Sequence, residues 1–157
     1  MSPQYFEDVE IGIRRVAGSY TFTAEEIIRF AKKYDPQPFH TDPEAASRGP
    51  FGGLVASGWH TVSVWMKVFV EQRALDGNDG GTTRAGVSPG FEDLRWLKPV
   101  RPGTTLFYSS EVIEKVELRS RPELGLIKSR NEARDESGEL YMSFIGKGFV
   151  ERAPRPR

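Results

Sequence analysis

The stretch that decides the fold runs Gly58-Trp59-His60-Thr61-Val62-Ser63-Val64-Trp65-Met66-Lys67-Val68-Phe69-Val70-Glu71 and continues to about Leu75. Trp59, Val62, Val64, Trp65, Met66, Val68, Phe69 and Val70 spread over most of a helical circumference. His60, Ser63, Lys67 and Glu71 recur at steps of three and four, forming one narrow polar stripe. A helix that is apolar nearly all round is usually buried, so a sheet is expected to wrap it. The segment contains Lys67 and is too short in its apolar part to span a bilayer.

Downstream, Asp76 to Gly90 is rich in Gly, Asn and Thr and reads as a long loop that shapes a pocket. It is not placed between a strand and a helix, so it has no phosphate-cradling role. Strands are expected at 91–97, 104–118, 124–134 and 139–151, with turns at Lys98–Gly103 and Asp135–Gly138. In the last strand Tyr141, Ile145 and Phe149 should point one way, and Met142, Phe144 and Val150 the other. Upstream, the first dozen residues should lie along the surface. Val16, Tyr20 and Phe22 alternate with Arg15, Ser19 and Thr21, which predicts a strand. Thr23 with Glu26 three residues later is a capping-box signature. The helix it opens must end near Tyr34, because Pro36 disfavours the α conformation at Asp35. Residues 35–41 then form a stiffened loop, and Asp42-Pro43-Glu44 starts a short helix.

The order is helices first, one long buried helix, then an antiparallel sheet, an α+β plan with one sheet folded round a central helix. The 157 residues suffice for one domain, expected over 1–152, with 153–157 a disordered tail. An edge strand on such a sheet invites pairing with a second copy, so a homodimer or higher oligomer is expected.

Lys+Arg and Asp+Glu both number 22. That balance argues against broad binding to nucleic acid or to an anionic membrane. With no cysteine, thiol nucleophiles, disulfides and thiolate metal sites are excluded. His40 and His60 are the only histidines, and no pair at helical spacing suggests a metal site. The N-terminus lacks the basic and apolar regions of a signal peptide, so a cytoplasmic location is expected.

Asp35 and His40 carry the candidate chemistry. Pro36 and Pro38 restrict the backbone between them, so a carboxylate and an imidazole can be held in fixed relation. Such a pair can bind a water and move its protons, because histidine titrates near neutrality. A helix-ending turn with a packed histidine would leave the same residues. Ser57 and Gly58 open the long helix, whose free N–H groups could stabilise an oxyanion, and Gly58 would let a substrate approach the backbone. An ordinary N-cap at Ser57 is the plain alternative. His60, on the stripe with Lys67 and Glu71, points to a solvated or interfacial role. Trp59, Trp65 and Trp96 read as core or interface aromatics. Arg84, Arg95, Lys98, Lys128 and Arg130 are candidates to meet phosphates, or solvated surface charges.

Tyr34-Asp35-Pro36-Gln37-Pro38-Phe39-His40, followed by Asp42-Pro43-Glu44-Ala45-Ala46, resembles the hydratase motif of MaoC-like dehydratases and (R)-specific enoyl-CoA hydratases. Phe51–Gly58, Lys98–Gly103 and Tyr5-Phe6-Glu7-Asp8 resemble further segments of the same family. The resemblance covers nearly the whole chain and implies the hot dog fold. It implies Asp35 and His40 as catalytic residues, Gly58 as the oxyanion glycine, and hydration of a trans-2-enoyl-CoA to a (3R)-hydroxyacyl-CoA. No cofactor is implied, since CoA is part of the substrate. The sequence departs from the family at Gln37, where Asn is usual, at Ser57, commonly His or Pro, and at the bulky Trp59. These three are therefore substrate-pocket candidates. The rival functions are a hot dog thioesterase, for which Glu71 lies far along the helix, and a non-catalytic acyl-thioester binding protein.

Overall fold

The computed structural model describes residues 5–76 and 87–154. Most of the 76–90 loop, with Arg84, therefore lies outside the described residues. After a 3-10 turn, Phe6–Asp8, the chain forms β1 (Arg14–Thr21), α1 (Ala24–Tyr34), α2 (Pro38–Thr41), α3 (Pro43–Ser47) and α4 (Gly58–Leu75). It then forms β2 (Gly90–Trp96), β3 (Thr105–Glu117), β4 (Leu124–Arg134) and β5 (Leu140–Glu151). The strands make one five-stranded antiparallel sheet in the order β1-β3-β4-β5-β2, with α4 packed on its inner face. This is the α+β hot dog fold.

Local chemistry sets the helix ends. Thr23 Oγ1 accepts the Glu26 N–H at 3.2 Å. The Glu26 carboxylate does not complete the box but accepts from the Tyr20 hydroxyl. Asp42 Oδ1 accepts from the N–H groups of Glu44 and Ala45, at 3.0 and 3.2 Å. The loop expected at 35–41 contains one helical turn, because Pro38 occupies its first position, where no N–H is needed.

The core is built from Phe22, Ile27, Leu106, Tyr108, Ala133, Met142 and Phe144 around Val64 and Val68 of α4. Met142, Phe144 and Val150 are buried as their alternation requires; Tyr141 is buried too. Gly18 admits the helix closely, since a Cβ there would stand 3.1 Å from Val68 Cγ1.

Three expectations are corrected. The sheet packs on α4 as expected, but the helix is not buried nearly all round. His60, Thr61, Val64 and Val68 are buried, but Trp59, Met66 and Val70 are about half exposed beside Ser63, Lys67 and Glu71. A single five-stranded sheet covers only one face. Val16 points outward, because a bulge between Val16 and Gly18 shifts the strand's phase before Tyr20. The N-terminal segment is not merely superficial. Phe6 is buried against Gly125, and Lys115 and Arg152 lie over its ring. Of the 153–157 tail, Ala153 donates its N–H to Glu7 at 2.9 Å, and 155–157 lie outside the described residues.

Candidate active site

The site is assembled where α1 stops. Asp35 leaves the helical conformation (φ −152°, ψ 69°), although its N–H still donates to Ala31 O. Pro36 enforces that break. The one turn of α2 then turns His40 back towards Asp35. Asp35 Oδ2 and His40 Nε2 lie 3.3 Å apart, with side chains 17% and 8% exposed. On the far side of the ring, His40 Nδ1 lies 2.6 Å from the Val55 carbonyl oxygen. A carbonyl can only accept, so Nδ1 carries the proton and Nε2 faces the carboxylate. Val55 N–H donates to Phe39 O at 3.1 Å, which fixes this carbonyl against α2. The Phe39 ring meets His40 edge-on at 4.5 Å.

Asp35 Oδ1 accepts from Gln37 Nε2 at 2.7 Å. Ser57 is fully buried; its hydroxyl lies near enough to favour the carboxylate yet forms no hydrogen bond of normal geometry. Burial pushes the Asp35 carboxyl up, but Gln37, Ser57 and the facing His40 together hold it below the usual carboxylate range.

Ser57 also begins α4. Its carbonyl accepts from His60 and Thr61, while among the described residues the Gly58 and Trp59 N–H groups have no carbonyl partner. Orphan donors and a positive helix end therefore lie beside the acid–imidazole pair. The reason for glycine at 58 differs from the expectation. A Cβ there would come within 2.2 Å of Trp96 Cε2, so the space is filled by an indole rather than left open. Trp59 packs edge-on against the same ring at 5.3 Å.

The remaining candidates lie apart. His60 is buried, not solvated: it stacks on Phe30 at 4.6 Å and meets Phe22 at 5.0 Å. Among the described residues its Nδ1 has no hydrogen-bond partner, and burial pushes its pKa down to about 4 against a smaller opposing pull from Glu26. Glu71 is exposed and paired with Lys67, ~20 Å along the helix from Gly58. Lys98 pairs with Glu139, Lys128 with Glu114 and Glu92, and Arg130 with Glu111. Arg95 and Arg130 line a surface cavity of about 240 Å³ on the sheet, with Asp93 and Glu132. These cations do not converge on Asp35. Among the described residues no group of three or more His, Asp or Glu could hold a metal, and no helix is long and apolar enough to cross a membrane. Sequence reasoning missed the Val55 carbonyl, whose role depends on a backbone contact 15 residues away.

Fold and site together define a hot dog protein with a carboxylate–imidazole pair beside the amino end of its long helix. The chain belongs to the MaoC-like dehydratase family: the MaoC like domain matches residues 10–131. It is 32% identical to the MaoC-like dehydratase of Rhodospirillum rubrum, whose solved structure superposes with a TM-score of 0.81 over 96% of this chain and 99% of that one. It is 36% identical over 109 residues to the uncharacterized protein YdeM of Bacillus subtilis, covering 69% of this chain and 72% of YdeM. It is 29% identical over 94 residues to 3-hydroxyacyl-thioester dehydratase Z of Mycobacterium tuberculosis, 59% of each chain and thus less than two thirds of that relative.

Proposed function

We propose that this protein is a hydro-lyase of acyl thioesters that adds water across a trans-2-enoyl-CoA to give a (3R)-hydroxyacyl-CoA, and catalyses the reverse dehydration. The observation that carries the reading is the 3.3 Å approach of Asp35 Oδ2 and His40 Nε2, with Nδ1 tied to the Val55 carbonyl. Water held by this pair loses a proton to it as the oxygen bonds to C3. The pair returns a proton to C2, so the net change is one hydroxyl at C3 and one hydrogen at C2. Between these events the charge sits on the thioester oxygen as an enolate, which the unpartnered Gly58 N–H stabilises. Only a hydroxyl and protons move, so the chemistry calls for no cofactor, and CoA arrives as part of the substrate. The dehydratase chemistry of the M. tuberculosis relative supports the same assignment. The exposed Trp59, Met66 and Val70 stripe and the outer edge of β2, which pairs with no strand among the described residues, support a homodimer.

The test is to incubate the purified protein with crotonyl-CoA and with longer and branched enoyl-CoAs, following enoyl absorbance and free thiol together. Loss of absorbance without thiol is expected. Thiol release would assign a thioesterase instead, and no change with any substrate would leave a binding role. Asp35→Asn and His40→Ala should each lower turnover ~10²-fold or more; full activity in either would reject the pair.

A further inference from the structure

Gln37 touches both members of the pair through separate groups. Its backbone N–H donates to the Asp35 carbonyl at 2.8 Å, and its own carbonyl accepts the His40 N–H at 2.9 Å and the Thr41 hydroxyl at 3.2 Å. Its side chain reaches back two residues, and Nε2 donates to Asp35 Oδ1 at 2.7 Å. The terminal torsion of an aspartate is broad, so Asp35 alone does not fix the plane of its carboxylate. The amide fixes it: with one oxygen held by Gln37, the other lies 3.3 Å from Nε2.

Core packing does not explain this placement. Gln37 is exposed, so its side chain gives up rotamer freedom in water to make the contact. Pro36 and Pro38 hold the backbone on either side and lower that cost. The groups facing the carboxylate come from three places: Gln37 from the loop, His40 from α2, and the Ser57 hydroxyl from the start of α4. Of these three groups only the imidazole is ionisable.

We infer that Gln37 is a positioning residue whose amide clamps the plane of the Asp35 carboxylate so that the oxygen it leaves free is presented to His40 and to the reacting water. This rests on the hydration reading and specifies how its site is held. Losing the clamp should have two linked effects. The carboxylate samples unproductive orientations, so kcat falls while KM hardly changes. The ionised carboxylate also loses a hydrogen bond, so its titration moves to higher pH.

The experiment compares wild type with Gln37→Ala and Gln37→Met. It measures the pH dependence of kcat and KM for crotonyl-CoA hydration, and the titration of the Asp35 carboxyl carbon by ¹³C NMR. Both variants should lose about tenfold in kcat near neutrality, at the lower end for hydrogen bonds to charged groups because the contact is exposed, with KM within about twofold. The acid limb and the NMR midpoint should both move upward. Methionine keeps the length and removes the donor. If Gln37→Met keeps wild-type kcat and the wild-type Asp35 midpoint, the clamp is overturned. Wild-type protein that hydrates no enoyl thioester would reject the hydration reading instead; the NMR titration then decides the clamp alone, and an unmoved midpoint overturns it.

Discussion

Replacing His60 by phenylalanine should change how the protein responds to acid. His60 is 6% exposed, lies in an aromatic box of Phe30, Phe22 and Tyr20, and leaves Nδ1 without a hydrogen-bond partner among the described residues. Burial lowers its pKa to about 4, against an ordinary 6.5 in the unfolded chain. A base with a depressed folded-state pKa is neutral in both states above pH 6.5 and costs nothing there. As pH falls from 6.5 towards 4, the unfolded chain takes up a proton that the folded one refuses, so stability drops. The gap between the two values corresponds to a loss of roughly 3 kcal/mol, complete only below pH 4. Phenylalanine keeps the stack on Phe30 and removes the proton site. Urea unfolding of wild type and His60→Phe at a series of pH values from 7.5 to 4.5 measures the effect. The two should lie within about 1 kcal/mol at pH 7.5, with the variant gaining steadily below pH 6.5. Asp35, an acid with a lowered pKa, also loses stability as pH falls through its folded value, but it does so in both proteins and cancels. Parallel curves over the whole range would refute the reasoning.

Three further outcomes are expected. Gly58→Ala places a Cβ against the Trp96 indole, which is 2.2 Å from the ideal position, and should cost ~1–3 kcal/mol of unfolding free energy; adding Trp96→Ala should relieve the clash, and a lone Gly58→Ala as stable as wild type by thermal melting would contradict it. Ser57→Ala removes a buried hydroxyl that has no hydrogen bond of normal geometry among the described residues, so stability should hold or rise by up to ~1 kcal/mol, while hydration of crotonyl-CoA slows as Asp35 loses a favourable neighbour; unchanged kcat would remove Ser57 from the site. Met66→Glu with Val70→Glu puts charge into the exposed apolar stripe of α4 and should give a monomer by light scattering, whereas an unchanged mass would place any interface elsewhere.

Patterns set by neighbours in the chain were legible without coordinates. Thr23 and Asp42 mark their helix starts by side-chain chemistry that acts within three residues, and both cap as expected. Alternation and turn residues place the four later strands to within a residue or two. The spacing of Asp35 and His40 across two prolines was enough to suggest that they meet, because so short and stiff a segment has few ways to arrange them. Motif order then pointed to the family.

Tertiary structure alone decided what surrounds that pair. The tautomer of His40 follows from the Val55 carbonyl, and the space beside Gly58 belongs to Trp96, 38 positions on in the chain. The amphipathic stripe of α4 could not tell His60, buried among rings, from Lys67 and Glu71, paired in solvent, since all three share one helical periodicity. Nor could alternation foresee that a bulge would turn Val16 outward. Periodicity and capping are interactions between near neighbours, which the residue order carries directly. Burial, tautomer and close approach depend on groups that only folding brings together.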